Sequence, residues 1–206
     1  MLRLHGVAGR ADTNALCAAL YEKGAEFEYV PPHPDERAER RTRTPADEAP
    51  ALETPAGSLT GMFVILDYLE AIAPEPALLP ADPFARAKVQ ELARGAAQIL
   101  DPLILPGPQA ARSGAPLAAD MKDPVHGQLD RAVATVLRLA RFEPWFAGDT
   151  FSQADIVWHF SFDAGAQIAH GLYGRDLYAE IAPAAAHRDA MAARASVQRA
   201  RVLGER

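Results

Sequence analysis

A proline-rich run divides this chain into two parts with different sequence patterns. Four prolines fall within Ala73–Pro83, which has the sequence A-P-E-P-A-L-L-P-A-D-P. Each proline fixes φ and removes a backbone donor, so the run excludes a helix. Strand and helix patterns alternate before it, and only helical patterns follow it. We therefore predict a first domain over residues 1–73, an interdomain linker over 74–83 and a second domain over 84–206.

The residues before the linker show the pattern of a small α/β fold. The predicted elements are, in chain order, strand Leu2–His5, helix Asp12–Lys23, strand Glu26–Val30, a hairpin of Ala51–Glu53 and Ser58–Thr60 around the turn Thr54–Gly57, and helix Gly61–Ala71. A βαβ unit followed by a strand pair and a helix is the thioredoxin-like order. The order alone also fits other small α/β folds.

The residues after the linker show no strand pattern. Apolar positions at helical spacing predict helices over Phe84–Leu105, Met121–Phe142, Gln153–His170 and Pro183–Arg194, with Pro106–Pro116 separating the first two. The second domain is therefore predicted to be an all-α bundle.

One segment of the bundle carries a complete helix-start signal. Ser152 and Asp155 have the spacing of a capping box, and Phe151 and Ile156 take the two positions of a hydrophobic staple. Because the capping box and the staple together account for all four of these residues, we interpret the segment as a folding signal rather than as a catalytic or binding site.

Composition excludes several classes of function. A formal net charge of −6 over 206 residues argues against a nucleic-acid partner, which needs a basic face. No apolar run approaches the ~20 residues that span a bilayer, and the N-terminal sequence lacks a signal-peptide pattern. The single cysteine, Cys17, cannot form an internal disulfide, so we expect a cytoplasmic protein. The sequence contains no metal-ligand spacing, P-loop or dinucleotide-binding glycine pattern.

The segment Thr44–Leu52, T-P-A-D-E-A-P-A-L, resembles the glutathione transferase pattern in which a turn precedes Val-Pro-x-Leu. Together with the two-domain order, the resemblance covers essentially the whole chain. It implies a thioredoxin-like first domain, a helical second domain, glutathione as co-substrate and assembly as a homo- or heterodimer. It also implies that a cis peptide bond precedes Pro50, that the Ala49 backbone binds the cysteinyl part of glutathione, and that Glu48 belongs to the same binding segment.

The loop Gly6–Asn14 is the candidate thiol site. Small residues let a ligand approach the backbone, and the following helix N-terminus favours an anion such as a thiolate. Aligned on A-L-Y-E-K-G, the loop most resembles the bacterial glutathione-dependent β-etherases, whose motif serine falls on Thr13. The resemblance implies that Thr13 donates to the thiolate, with Asn14 as a second donor and Arg10 binding a carboxylate of the peptide. Helix capping by Asp12 or Thr13 is the alternative.

The turn after the fourth predicted strand departs from the family pattern. Glutathione transferases usually have Glu-Ser or Asp-Ser there, and these side chains hold the γ-glutamyl end of glutathione. This chain has Gly61 and Met62 instead. Because losing one partner of a charged hydrogen bond costs about 1.5–3 kcal/mol, we predict that a family-typical site is not intact. Thr60, or a residue of a neighbouring subunit, is the candidate replacement.

Four other side chains are weaker candidates for chemistry. Cys17 lacks a C-x-x-C partner and is expected to pack as a small hydrophobic residue within the first helix. His159 lies in an aromatic cluster and faces either the bundle interior or an aromatic ligand. His170 and His187 have no evident sequence partners, and we expect both to be solvated.

Two functional hypotheses remain. The first is an enzyme that directs the thiolate of glutathione at a hydrophobic electrophile, with aryl-ether cleavage as a subclass. The second is a non-catalytic subunit or ligand-binding protein with a decayed glutathione site, acting in a heterodimer. A thioredoxin-type oxidoreductase is excluded because the chain has only one cysteine.

Overall fold

A computed structural model describes the chain at residues 1–32, 50–100 and 119–202. Contacts along the chain define two compact units, one made of Met1–Leu79 with Ala192–Arg206 and the other of Pro80–Met191. This grouping puts the C-terminal segment with the N-terminal residues, whereas the predicted second domain runs through residue 206.

A four-stranded sheet forms the centre of the first unit. Its strands are β1 (Leu2–His5), β2 (Phe27–Val30), β3 (Ala51–Thr54) and β4 (Gly57–Thr60), in the order β2-β1-β3-β4. β1 is parallel to β2 and antiparallel to β3, while β3 and β4 form the predicted hairpin. Helix α1 (Ala11–Glu22) connects β1 to β2, since parallel strands require a crossover connection.

The core of the first unit is aliphatic. α1 is followed by Gly24 at φ 61°, a conformation that lets the chain turn back toward β2. Helix α2 (Met62–Ile72) follows β4. The side chains that are at most 1% exposed come from the sheet and both helices, and include Leu4, Leu16, Leu20, Leu52, Ile65 and Leu69.

The C-terminal helix, α8 (Ala195–Val202), packs against α1. Just before it, Arg194 donates two hydrogen bonds to the Glu22 carboxylate, each 2.8 Å long. The Ser196 hydroxyl also donates to Glu22. The Arg199 guanidinium lies 3.8 Å from the centre of the Tyr21 ring, at cation–π distance. The last described residues of the chain therefore stabilise its first helix.

A buried ion pair holds the segment after α2. Lys23 Nζ donates to the Pro76 carbonyl at 2.8 Å and pairs with Glu70, and both of these charged side chains are almost fully buried. The Glu70 carboxylate also accepts the backbone N–H groups of Leu78 and Leu79. The proline-rich segment is thus tied to the first unit by backbone hydrogen bonds to buried charges.

The second unit is helical, as predicted. Its helices are α3 (Pro83–Gln98), α4 (Ala119–Leu137), α5 (Gln153–Tyr173), α6 (Leu177–Glu180) and α7 (Ala182–Ala192). The capping box at Ser152 and Asp155 is confirmed, with both reciprocal hydrogen bonds present. Phe146, Trp158 and Phe162 stack in sequence at 4.4 Å between neighbouring ring centres and form the aromatic centre of the unit.

The expectation that His187 is solvated is wrong. Its ring is 3% exposed, and its Nε2 lies 2.9 Å from the Asp155 carboxylate. Asp155 also accepts the Phe146 N–H at 2.6 Å, so its carboxylate serves helix capping and tertiary packing together. His170 is exposed, as expected.

Two bundle helices end earlier than their apolar pattern predicts. α3 ends at Gln98, and the rest of its predicted range from residue 101 lies outside the described residues. α4 ends at Leu137 rather than Phe142, which has a φ of 55° that no helix continues through. The Phe142 ring packs edge-on against the Trp158 ring, with 5.6 Å between the ring centres. The apolar residue that the periodicity assigned to the helix therefore belongs to the aromatic core instead. Across the described ranges, no helix is both long enough and apolar enough to cross a membrane.

Candidate functional site

The register of the sheet brings the candidate residues to one edge. Val30, His5, Ala51 and Thr60 lie in a row across the four strands. The chain segments that follow β1 and β4 and precede β3 therefore meet there. Two hydrogen bonds fix this edge: Gly6 N–H to the Val30 carbonyl at 3.3 Å, and Gly61 N–H to the Pro50 carbonyl at 3.2 Å.

The loop between β1 and α1 is exposed. Val7, Ala8, Gly9 and Arg10 are all exposed, and a turn is closed by the Arg10 N–H bonding the Val7 carbonyl at 3.2 Å. Arg10 is the N-cap of α1, and its own side chain makes no capping hydrogen bond. A helix start beside an exposed backbone carries a partial positive charge that favours an anion.

Thr13, the predicted thiolate donor, lies on the inner side of α1. It is 1% exposed, and its hydroxyl donates to Asp12 Oδ1 at 3.2 Å. Its methyl and hydroxyl fill the space beside Gly6, where an added Cβ would come within 2.5 Å of Thr13 Cγ2. In this arrangement Thr13 packs the loop against the helix, and its role toward a ligand stays a prediction.

The predicted carboxylate-binding arginine is already paired. Arg10 Nη2 lies 2.7 Å from Asp12 Oδ2, and Arg10 Nε donates to Asp12 Oδ1 at 3.2 Å. The same carboxylate accepts the Thr13 N–H at 2.7 Å, so Asp12 supplies a first-turn acceptor although it is not the N-cap residue. Asn14 is half-buried one residue further along, and its N–H bonds the Arg10 carbonyl.

Tyr29 is a site residue that the sequence analysis missed. From β2 its hydroxyl donates to the Gly6 carbonyl at 2.7 Å. Strand alternation puts Tyr29 on the same face as Phe27, which packs on Tyr21 of α1, so its side of the sheet was predictable. The reach of the hydroxyl to Gly6 was not, because it depends on the backbone path of the loop.

At the second half of the edge, the described residues Pro50 and Thr60–Met62 carry no carboxylate. Gly61 is the N-cap of α2 with φ 90° and ψ 130°, and Met62 is the first helical residue. Thr60 is half-buried opposite Ala51, and Pro50 is buried beside it. Glu48, Ala49 and the Ala49–Pro50 peptide bond lie outside the described residues.

The remaining candidates lie away from this edge or are buried. Cys17 is fully buried, and burial raises the pKa of its thiol to about 12, which confirms it as a packing residue. His159 is 2% exposed in the second unit, with its ring edge-on to Phe160. In the described parts of the chain, no group of three or more His, Cys, Asp or Glu side chains is placed to hold a metal ion.

Sequence comparison identifies relatives along most of the chain. The profile of the glutathione S-transferase N-terminal domain matches residues 13–77. A glutathione S-transferase of Pseudomonas putida is 34% identical over 189 residues, covering 90% of this chain and 84% of the relative. Protein LigF of a Sphingobium species is 36% identical over 95 residues, which are 43% of this chain and 37% of LigF.

Structural comparison extends the similarity to both units. A glutathione S-transferase of Methylobacterium radiotolerans, solved in complex with glutathione sulfonate, superposes with a TM-score of 0.82 at 26% identity. The superposition covers 97% of this chain and 93% of that protein. The predicted fold, a thioredoxin-like domain followed by a helical domain, is confirmed.

Proposed function

Because the chain belongs to the glutathione S-transferase family, we propose that it binds glutathione at the sheet edge and directs the glutathione thiolate at a hydrophobic electrophile. The observation that carries this proposal is the register that brings the β1–α1 loop, Pro50 and Gly61 together. The Methylobacterium relative was solved with glutathione sulfonate, a close analogue of the same peptide.

The start of α1 is the proposed thiolate site. A free thiol has a pKa near 8.5, so a site must stabilise its anion to make it reactive at neutral pH. In this proposal the exposed loop Val7–Arg10 and the positive end of α1 supply that stabilisation. We propose Thr13 as the hydroxyl donor, a role in which its hydroxyl turns from Asp12 toward the sulfur.

Binding at the γ-glutamyl end is proposed to be weak. The Gly61 N–H is donated to the Pro50 carbonyl, so of these two residues Met62, at the first helical position, offers its backbone N–H to a carboxylate. Neither residue has an anionic side chain for an ammonium group. Missing one charged hydrogen bond lowers affinity by a factor of roughly ten to more than a hundred. We therefore expect a dissociation constant for glutathione in the high micromolar to low millimolar range. Thr60, Asn14 and the Pro50 segment are the proposed remaining contacts.

Isothermal calorimetry with glutathione tests this proposal on the wild-type protein and on Thr13→Val, which removes the hydroxyl and keeps the shape. Thr150→Val is the matched control, since the Thr150 hydroxyl also bonds the preceding aspartate but is exposed in the other unit. We expect about tenfold weaker binding for Thr13→Val and no change for Thr150→Val. No heat at several millimolar glutathione would overturn the proposal.

Aryl ethers are the proposed electrophile class. The β-etherase resemblance of the first loop and helix, together with the 36% identity to LigF over part of the chain, supports this subclass. In such a reaction the thiolate attacks the carbon bearing the ether oxygen, a C–S bond forms, the C–O bond breaks and a phenolate leaves. Glutathione-dependent release of a phenol from a model aryl ether is the measurement, and a chloroarene is the comparison electrophile.

A non-catalytic role in a dimer is the second candidate. It is favoured by the absence of a side-chain carboxylate at Gly61 and Met62 and by the burial of Thr13. In that case the chain binds a hydrophobic ligand or supports an active partner subunit as part of a homo- or heterodimer. Sedimentation analysis, alone and mixed with related subunits from the same cell, distinguishes this candidate from an autonomous enzyme.

A further inference from the structure

Tyr29 holds the first peptide group of the candidate thiol loop. Its ring is half-buried on β2, and its hydroxyl donates to the Gly6 carbonyl at 2.7 Å. Burial, followed by the nearby Cys17, raises the pKa of the Tyr29 phenol, and a backbone hydrogen bond from the Ala8 N–H to the phenol opposes this rise. One side chain from a neighbouring strand therefore contacts two successive peptide groups of the loop.

This contact fixes the direction of an exposed donor. In a trans peptide the C=O and the following N–H point in opposite directions. Because the Gly6 carbonyl points toward the Tyr29 hydroxyl, the Val7 N–H points away from it. Val7 is 39% exposed, so this N–H lies at the start of the exposed part of the loop.

Other contacts hold Gly6, and one turn hydrogen bond, from the Arg10 N–H to the Val7 carbonyl, restrains the residues that follow it. The Gly6 N–H bonds the Val30 carbonyl, and the Thr13 side chain packs directly against the Gly6 Cα. Beyond Ala8, the chain passes through Gly9 at φ 82° before α1 begins. Tyr29 is thus the side chain that connects the anchored part of the loop to its exposed part.

We propose that Tyr29 is a positioning residue for the thiol site, holding the Gly6–Ala8 backbone in the orientation that presents the Val7 N–H to the glutathione sulfur. This inference rests on the proposed function. Tyr29 acts through the loop, because its hydroxyl proton is already donated to Gly6. The loop contains no Ser, Tyr or Cys of its own, and the phenol that bonds its backbone comes from β2.

The test compares Tyr29→Phe with Tyr21→Phe. Tyr21 belongs to the same unit and packs its ring against Phe27, so its variant controls for the loss of a phenol hydroxyl. Calorimetry gives the glutathione affinity, and the pH dependence of thiolate ultraviolet absorbance gives the pKa of the bound thiol. Hydrogen exchange across residues 2–10 without ligand reports whether the loop loosens while the rest of the unit stays protected.

For Tyr29→Phe we expect about fivefold weaker binding, faster exchange at Val7 and Ala8, and a bound-thiol pKa raised by about half a unit or more. Tyr21→Phe should match the wild type in all three. A general loss of packing would not shift the thiol pKa in the folded fraction. If the wild type binds glutathione and Tyr29→Phe has the same affinity and the same bound-thiol pKa, this inference is overturned and the proposed function stands. Absence of binding by the wild type overturns the proposed function and this inference with it.

Discussion

Lys23 Nζ lies 2.5 Å from the Glu70 carboxylate, with side-chain exposures of 0% and 8%. Burying two charges carries a desolvation penalty, which further hydrogen bonds to both side chains offset. Glu70 accepts two backbone N–H groups, and Lys23 donates to a backbone carbonyl. The pair therefore connects the end of α1, the last turn of α2 and the proline-rich segment. The contribution of this pair to the free energy of unfolding can be measured directly.

Lys23→Met should lower the free energy of unfolding by about 3 kcal/mol or more, because it leaves the Glu70 carboxylate buried without a counter-charge. Urea denaturation followed by circular dichroism gives the value. Lys88→Met is the control, since Lys88 pairs with Glu91 on an exposed helix face and should cost less than about 1 kcal/mol. Equal effects of the two substitutions would contradict a stabilising role for the buried pair.

Glu22 should make stability depend on pH in the acid range. Burial raises the pKa of Glu22, but hydrogen bonds from Arg194 and Ser196 outweigh burial and hold the pKa below 4.5. A carboxylate with a lowered folded-state pKa contributes stability above its unfolded-state pKa, and this contribution is lost as the pH falls through the folded value.

Glu22→Gln should therefore cost about 2 kcal/mol at neutral pH and progressively less below about pH 4. Denaturation curves at several pH values provide the comparison with the wild type. Glu91→Gln, at an exposed position in the second unit, serves as the control. A Glu22→Gln penalty that stays constant down to about pH 3 would rule out the proposed linkage.

Gly61→Ala should destabilise the protein by about 1–2 kcal/mol, because a φ of 90° is strained for any residue with a Cβ. An added Cβ meets no atom within 4 Å, so the cost comes from the backbone alone. Gly171→Ala is the matched substitution: its Cβ also meets open space, but on helix α5 alanine should stabilise by about 0.5–1 kcal/mol. Thermal unfolding of both variants checks the opposite signs.

Cys17 should resist alkylation in the folded protein. Burial raises its pKa from 9.0 to about 12, which leaves about a thousandfold less thiolate near neutral pH before any steric protection is counted. Iodoacetamide labelling followed by mass spectrometry should be slow in buffer and rapid in guanidinium chloride. Fast labelling of the native protein would show that α1 opens readily.

The strands and helices of the first unit were predictable because their boundaries carry local signals. Gly24 marks the end of α1, and Pro55 and Ala56 form the turn between β3 and β4. The capping box at Ser152 was predictable for the same reason, since its partner Asp155 is three residues away. Such signals depend on neighbours in sequence, and a single sequence contains them in full.

Contacts between distant residues were not predictable in this way. His187 bonds Asp155 across the second unit, and Arg194 bonds Glu22 across nearly the whole chain. The spacing of apolar residues along the chain does not indicate which buried carboxylate a histidine will bond. The early end of α4 has the same origin, because packing of Phe142 on Trp158 overrides an apolar spacing that also fits a helix.

The candidate site falls between these cases. The loop Gly6–Asn14 and the unusual residues Gly61 and Met62 were identified from sequence, and the register of three strands brings their segments to one edge. The direction of the Thr13 hydroxyl and the reach of Tyr29 depend on atomic positions that sequence does not specify. Sequence thus locates the segments of the site, and structure assigns their contacts.

Because α8 packs on α1, the first unit cannot be completed until the end of the chain has been synthesised. A ribosome makes Leu79 long before Ala192, so the sheet and α1 emerge while the helix that covers α1 and neutralises Glu22 does not yet exist. Pro80–Met191 has all of its residues available before the first unit is complete. The face of α1 that α8 covers therefore stays open until the end of translation, and a chaperone that binds exposed helices has its longest opportunity at α1.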